Sequence, residues 1–567
     1  MSVLVYERIL QLLEVEGVNT LFGIPDPSFF HMFVTAETRG WRVVAPHHEQ
    51  AGAFMADAWW RMTGRPGVVV GNQGPGVANL APAAIGAAKE NSSIIFIAGQ
   101  RKRIAEQRVR RGRIQFIRQS PHFTAAMKYV GIIEYPEQTD DVVHEALRRS
   151  LSGTPGPVFI EYPMNVVHSE LDLGSPPPAH SYRLVHQGAS EQAIGAAVNL
   201  IRNARLPILL VGHGVFTARA HEVVAALARI LGSPVIQTSG ALFFLEGLEE
   251  RTFPYGLSPA GVDAVVNSDL VIAIGTEIGE PVHNGIGYHW ANGNAERKWI
   301  YIERDPLAIG VNRPIDVPLV GDLRDVVPQL IAALKGVTRT LPLEVDAWIR
   351  MHAEYKARLA STVPPSSNEI HPARFVVEAT RAVPKDAVFV RDGGSLVIYS
   401  WAYSQLAPRD LVWNQNFGHL GAGLPYAIGA QLAVGESRRV VLLSSDSSFL
   451  FHISELETAV RKKLPIVCIV GCDYAWGLEV RSYRAIFGPN SRETEAHWGK
   501  VRLDKVAEGF GAHGEYVERA EDIAPAVSRA LGSGKPAVVQ VPIDGTANAA
   551  VDLPGYAEFK TWYTDFA

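Results

Sequence analysis

Long apolar runs, cysteines and an excess of charge of either sign are what this chain of 567 residues is short of. No stretch reaches the roughly 18 uncharged apolar residues that a membrane-spanning helix needs, so no membrane partner is expected. Lys and Arg number 53 against 58 Asp and Glu, a formal net charge of −5, which offers nucleic acid no general attraction. The only two cysteines, Cys468 and Cys472, fall in or at the end of one apolar run; this speaks against a disulfide and for a reducing compartment. Residues 1–20 carry Glu7, Arg8, Glu14 and Glu16 among their apolar positions, the pattern of an amphipathic helix and not of a signal peptide. A cytoplasmic protein is the expectation. The length exceeds what one hydrophobic core serves, so about three domains are expected.

What the chain does have is alternation of apolar runs and amphipathic stretches. Val440-Val441-Leu442-Leu443 predicts a buried parallel strand, and it ends in Ser444-Ser445-Asp446-Ser447-Ser448. An amphipathic helix is expected over 453–461, with Ser454 three residues before Glu457 as a capping box. A second apolar strand, 466–470, ends at Cys472-Asp473. Each strand thus delivers one carboxylate just past its carboxyl end, the edge at which open α/β sheets bind ligands. Brought together, Asp446 and Asp473 repel unless a cation sits between them, and a hard divalent ion such as Mg²⁺ suits oxygen ligands. Read alone, they could equally be two unrelated loop-capping aspartates.

This stretch resembles the magnesium–diphosphate motif of thiamin diphosphate (ThDP) enzymes, a Gly-Asp-Gly followed by a helix and a strand ending in Asn-Asn. Ser445-Asp446-Ser447, Cys472-Asp473 and the following Trp476-Gly477 stand in the corresponding places. The resemblance implies a metal held by Asp446, Asp473 and the backbone carbonyl of Ala475, with Ser445, Ser447, Ser448, Trp476 and Gly477 around the diphosphate. Two departures matter. Serine replaces both glycines, which makes the turn less permissive. Asp473 replaces an asparagine, which should tighten Mg²⁺ while demanding more of the other diphosphate donors.

The likeness covers nearly the whole chain and implies three doubly wound parallel-sheet α/β domains. These are a pyrimidine-binding domain at 1–170, a central Rossmann-like domain at 190–340 and a diphosphate-binding domain at 371–550. Linkers at 171–189 and 341–370 join them, and the aromatic-rich tail 551–567 is expected to dock, with a lid as one role open to it. In the first domain a strand over 41–45 runs into His47-His48-Glu49-Gln50 and an Ala-rich helix over 51–61. An acid there is favoured by the helix dipole alone; the match of His48-Glu49-Gln50-Ala51 to a His-Glu-x-Ala pattern implies that Glu49 binds a pyrimidine nitrogen and promotes loss of the thiazolium C2 proton. Pro25, and Asn79 at the end of Gly74-Pro75-Gly76-Val77-Ala78-Asn79, would line the cofactor. In the third domain Asp392-Gly393-Gly394-Ser395 forms a strand-end nest suited to phosphate oxygens. By resemblance the Gly418 carbonyl would hold the exocyclic amine, and Leu420 would wedge the cofactor into its bent shape.

Substrate-side signals are weaker. Residues 101–118 are the most basic part of the chain, either a solvated loop or an anion-binding surface, for example for the phosphates of a coenzyme A thioester. Gln115 and Gln119 resemble a Gln-x-x-x-Gln of 2-hydroxyacyl-CoA lyases, with Gln115 facing substrate, and Arg118 stands where acetohydroxyacid synthases tend to carry an acid. Glu493 is the first candidate for acid–base work, with Glu495 and His497 in reserve. Val211-Gly212-His213-Gly214 is too weak a pattern to assign ADP to the central domain, where a structural role is the expectation. The reading is a ThDP- and Mg²⁺-dependent lyase splitting a 2-hydroxyacyl-CoA into formyl-CoA and an aldehyde or ketone. A 2-oxo-acid decarboxylase or carboligase, acetolactate synthase-like or benzaldehyde lyase-like, is the alternative, and a non-catalytic ThDP-fold protein the third. A homodimer or homotetramer acting on a small molecule, without nucleic acid, is implied.

Overall fold

Apolar runs of five to seven residues that alternate with helices have one economical solution, a parallel sheet covered on both faces. The computed structural model of the protein, which describes residues 2–337, 339, 341–365 and 369–551, contains three such sheets of six strands each. The first holds, in spatial order, Arg42–Val44, Thr20–Gly23, Gly67–Gly71, Ile94–Gln100, Val158–Pro163 and Tyr129–Ile132. The third holds Leu411–Val412, Val388–Asp392, Val440–Ser445, Val467–Cys472, Ala537–Pro542 and His513–Tyr516. Numbered along the chain, both run 2-1-3-4-6-5, whereas the central sheet runs 3-2-1-4-5-6. Every pairing within the three sheets is parallel.

The order 2-1-3 reverses direction between the first and third strands, and ligands bind outside the carboxyl ends at such a switch point. In the third sheet that crevice opens between Val388–Asp392 and Val440–Ser445, with Asp392 level with Ser444. One strand further on, Ser445 is level with Gly471, so Asp446 and Asp473 leave neighbouring strands almost side by side.

The outer domains meet along two helices. The helix Glu49–Thr63 lies against Gly423–Val434 so closely that a Cβ on Gly429 would stand 2.2 Å from the Met55 carbonyl oxygen. A buried polar group crosses the seam: Arg61 Nε and the Tyr426 hydroxyl each donate to Asp57, both at 2.7 Å. Glu90 accepts from the Phe417 backbone N–H at 2.9 Å, tying the first domain to the loop that carries Gly418 and Leu420.

Three local expectations differ from the structure. The helix expected over 453–461 spans Glu455–Arg461 and is preceded by a separate short helix, Asp446–Leu450, and Ser454 makes no side-chain cap; its φ of −58° and ψ of −25° are already helical, which keeps its hydroxyl out of capping geometry. The helix expected over 51–61 spans Glu49–Thr63, so Glu49 opens it. The stretch 341–370 carries a 20-residue helix, Leu343–Thr362, because Val345, Trp348, Tyr355 and Leu359 form a buried stripe at helical spacing. The proposed tail lid falls on residues 552–567, outside those described. No helix among the described residues is long and apolar enough to cross a membrane.

Candidate active site

At the edge of the third sheet, Asp446 is the first residue of its short helix and is buried. Its carboxylate accepts from the backbone N–H of Ser447 at 3.0 Å and of Tyr474 at 3.1 Å. Burial, and Asp473 beside it, push the Asp446 carboxyl up to about 8. Burial likewise raises Asp473, whose Oδ2 accepts from the Asn548 amide at 2.7 Å and whose Oδ1 accepts only a long 3.4 Å bond from the Ala475 N–H. Two carboxylates held this way have more acceptor capacity than the protein fills, and a divalent cation is the group that completes it.

The surroundings fit a metal-bound diphosphate. Gly393 has φ +122°, and a Cβ there would meet Ser445 Oγ at 2.7 Å. A Cβ on Gly477, at the start of the helix Gly477–Phe487, would stand 2.8 Å from Asp473 Oδ2. Ser395 Oγ and Asn548 Oδ1 are buried without a hydrogen-bond partner, as expected of groups aimed at a ligand. Tyr474 and Trp476 use their carbonyl and N–H to pair with Trp498 and Ala496. That bridge between Ala475 and His497 leaves the Ala475 carbonyl outside it and sets residues 493–498 beside the carboxylates.

The edge of the first sheet is built differently. Glu49 is buried at the start of its helix and accepts from the Asn79 amide at 2.9 Å. A Cβ on Gly76 would stand 1.8 Å from Asn72 Oδ1 and 2.9 Å from Glu49 Oε1, so this turn admits glycine alone. Gln119 holds the same turn from outside, accepting from the Gly74 N–H at 2.8 Å and donating to the Gly99 carbonyl at 3.1 Å. Gln115 lies over Gly74 with φ +57° and an exposed side chain. Pro25 is exposed at the neighbouring strand end.

Glu455 reaches across from the third domain and accepts from the backbone N–H of His47 and His48, at 2.9 and 3.2 Å, fixing the residues that lead into Glu49. Gly418, φ +68°, has open space where a Cβ would be, and Leu420 is half-buried, unlike a core leucine. His419 donates to the Leu420 carbonyl and accepts from Gln50. His452 donates to the Gly421 carbonyl at 2.7 Å, and burial lowers it to about 4. Among the described residues no hydrogen bond or ion pair joins Glu49 to Asp446 or Asp473.

Glu493 is engaged: Arg484 and His497 each contact its carboxylate at 2.6 Å, and the Arg484 hydrogen bond holds it below the usual carboxylate range. A carboxylate so held is a poor proton donor near neutrality. Glu495 and His497 are exposed. A cavity of about 550 Å³ opens at the strand ends of the central domain, lined there by His213, Gly214, Glu303 and Arg304 and walled by Trp60 and Glu90 of the first domain and Trp413 of the third.

Asn548, Glu455 and Glu90 escape sequence reading, since each acts on a residue far away in the chain and sits in an unremarkable local pattern. The one signal for Asn548 is indirect: a second carboxylate at Asp473, half-buried beside Asp446, demands a donor.

Three family profiles match the chain. Their descriptions are thiamine pyrophosphate enzyme, N-terminal TPP binding domain, over residues 4–122, central domain over 194–330, and C-terminal TPP binding domain over 392–541. An acetolactate synthase of Bacillus subtilis (strain 168) is 29% identical over 556 residues, covering 96% of this chain and 93% of that protein. An acetolactate synthase large subunit of Parasynechococcus marenigrum (strain WH8102) is 27% identical over 561 residues, 96% and 88% of the two chains. A sulfoacetaldehyde acetyltransferase of Alcaligenes xylosoxydans xylosoxydans is 26% identical over 570 residues, 94% and 92%. These names do not support the 2-hydroxyacyl-CoA lyase expectation; they favour its acetolactate synthase-like alternative.

Proposed function

The chain belongs to the thiamine pyrophosphate enzymes, and from that premise we propose that it decarboxylates a 2-oxo acid and joins the remaining acyl unit to a second carbonyl compound. Its cofactors are ThDP and Mg²⁺. One observation carries the reading: a buried and a half-buried carboxylate, Asp446 and Asp473, side by side next to a glycine cradle on one sheet edge, and a lone buried carboxylate on the matching edge of a sheet with the same strand order.

When bound, ThDP supplies a nucleophilic carbon and an electron sink. The remaining tasks belong to the protein. Asp446, Asp473 and the Ala475 carbonyl would hold Mg²⁺, and the backbone N–H groups of Gly393, Gly394 and Ser395 would take phosphate oxygens, with Ser445, Ser447, Ser448, Trp476 and Gly477 around them. Glu49, steadied by Asn79, would keep its carboxyl group on a ring nitrogen and exchange a proton there. The Gly418 carbonyl and the Leu420 side chain would fix the ring from the other side, with Pro25 at the cleft rim. Because Glu49 and the carboxylate pair form separate networks in one chain, we place the complete site between two copies, in a homodimer or homotetramer.

The test is a product analysis. With ThDP, Mg²⁺ and pyruvate, the protein should release carbon dioxide and acetolactate in equal amounts, and neither without Mg²⁺. Formyl-CoA from a 2-hydroxyacyl-CoA, with no turnover of pyruvate, would establish instead the second reading, which one feature favours: Arg108, Arg110, Arg111 and Arg118 are all exposed in the basic segment, as thioester phosphates would require.

A further inference from the structure

The described chain ends in a helix, Gly545–Ala550, that folds back from the last sheet strand onto the carboxylate pair. It is firmly placed. Asp544 caps it, accepting from the N–H groups of Thr546 and Ala547 at 2.9 and 3.0 Å, and its own N–H is bonded to the Ile370 carbonyl at 2.9 Å. The Tyr399 hydroxyl donates to the Ala547 carbonyl at 2.7 Å. From this helix Asn548, 3% exposed, sends its amide to Asp473 Oδ2, leaving its own Oδ1 without a partner.

The arrangement is specific in space. A Cβ on Gly477 would meet Asp473 Oδ2 at 2.8 Å, Asn548 Nδ2 at 3.1 Å and Ser395 Oγ at 3.3 Å. Three groups from three separate segments therefore converge on the one point where the chain carries no side chain. A lone aspartate facing Asp446 would turn away from it or share either oxygen at random. With Oδ2 taken by the Asn548 donor at 2.7 Å and Oδ1 by only the long 3.4 Å bond from the Ala475 N–H, Oδ1 is the freer oxygen to face the metal, as a side-chain amide oxygen would.

Resting on the ThDP–Mg²⁺ reading above, we propose that Asn548 is a positioning residue for the second metal ligand: it fixes which Asp473 oxygen the cation receives and thereby couples docking of the 545–550 helix to Mg²⁺ binding. Groups that orient a metal ligand in this way are worth about 10- to 100-fold in metal affinity.

The experiment uses the full-length protein with ThDP and titrates Mg²⁺, following cofactor binding by intrinsic tryptophan fluorescence and by calorimetry. Asn548→Ala should raise the Mg²⁺ concentration for half-maximal ThDP binding about 10- to 100-fold, with acetolactate turnover recovered at saturating Mg²⁺. In the parent, Mg²⁺ with ThDP should slow amide exchange in residues 545–550, and in the variant less so. Asn548→Leu keeps the volume without the donor, and should behave like the alanine variant even if the smaller residue loosens the fold. In an Asp473→Asn background, removing Asn548 should have little further effect, because the two act through one contact. An unchanged Mg²⁺ requirement in both Asn548 variants, or full additivity with Asp473→Asn, would overturn the proposal while leaving the ThDP reading intact. A parent that bound neither Mg²⁺ nor ThDP would overturn both.

Discussion

The first and third sheets share one strand order, yet their carboxyl edges carry opposite electrostatic problems. On the first, a single buried carboxylate, Glu49, is answered by one neutral amide from its own domain, Asn79. On the third, Asp446 and Asp473 face each other, and backbone N–H groups with one amide answer them only in part. A lone acid with a neutral partner is free to exchange a proton with a ligand; two opposed acids need a cation. On the proposed reading, topology decides where the cofactor sits, and the count of charges at the edge decides which end of it each sheet takes.

The largest expected effect breaks the cation side. Asp446→Ala should weaken Mg²⁺-dependent ThDP binding by more than the roughly 100-fold that loss of a merely supporting group produces, as read by calorimetry. Glu49→Ala should do the converse, leaving the Mg²⁺ titration near that of the parent while turnover falls about 10²- to 10⁴-fold. If both variants lost metal binding equally, the division of labour between the two edges would be wrong.

A third acid sharpens the comparison through pH. Burial pushes the Asp392 carboxyl up to about 7. The unfolded chain gives up this proton near pH 4 and the folded chain only near 7, so this group costs stability as pH rises between those values and no more above them. The slope is at most about 1.4 kcal/mol per pH unit. Asp392→Asn should flatten that decline in melting temperature, measured without Mg²⁺; an unchanged profile would place the proton elsewhere.

Smaller effects probe what joins the edges. Gly429→Ala drives a methyl group into the Met55 carbonyl and should cost about 1–3 kcal/mol in denaturant unfolding. Glu493→Gln releases an ion pair with an arginine one-third exposed, worth about 0.2–1 kcal/mol, and should leave turnover within a few-fold. A large loss of turnover there would return Glu493 to proton transfer.

Legibility followed distance along the chain. Glu49, Asp446 and Asp473 could be found because each closes an apolar run and opens a turn or helix, a pattern contained in ten neighbouring residues. Gln119 could be noticed, but its role as a brace for Gly74 depends on a partner 45 positions away. The short helix Asp446–Leu450 was hidden because its residues, Asp446-Ser447-Ser448-Phe449-Leu450, read locally as a polar turn. The choice between lyase and carboligase was not readable either, since the basic segment and Gln115 point toward one and the relatives toward the other.

The sequence by itself determined the strands, their order of appearance and the three acids at their ends, because burial of an apolar run and the charge just beyond it are local properties. The tertiary structure alone decided what each acid meets. Asn548 reaches Asp473 across 75 positions, Glu90 reaches Phe417 across 327 and Glu455 reaches His47 across 408. Such contacts leave no period or spacing in the chain; the first exists only once the third domain has closed on itself, and the other two only once the first and third domains have been folded against each other.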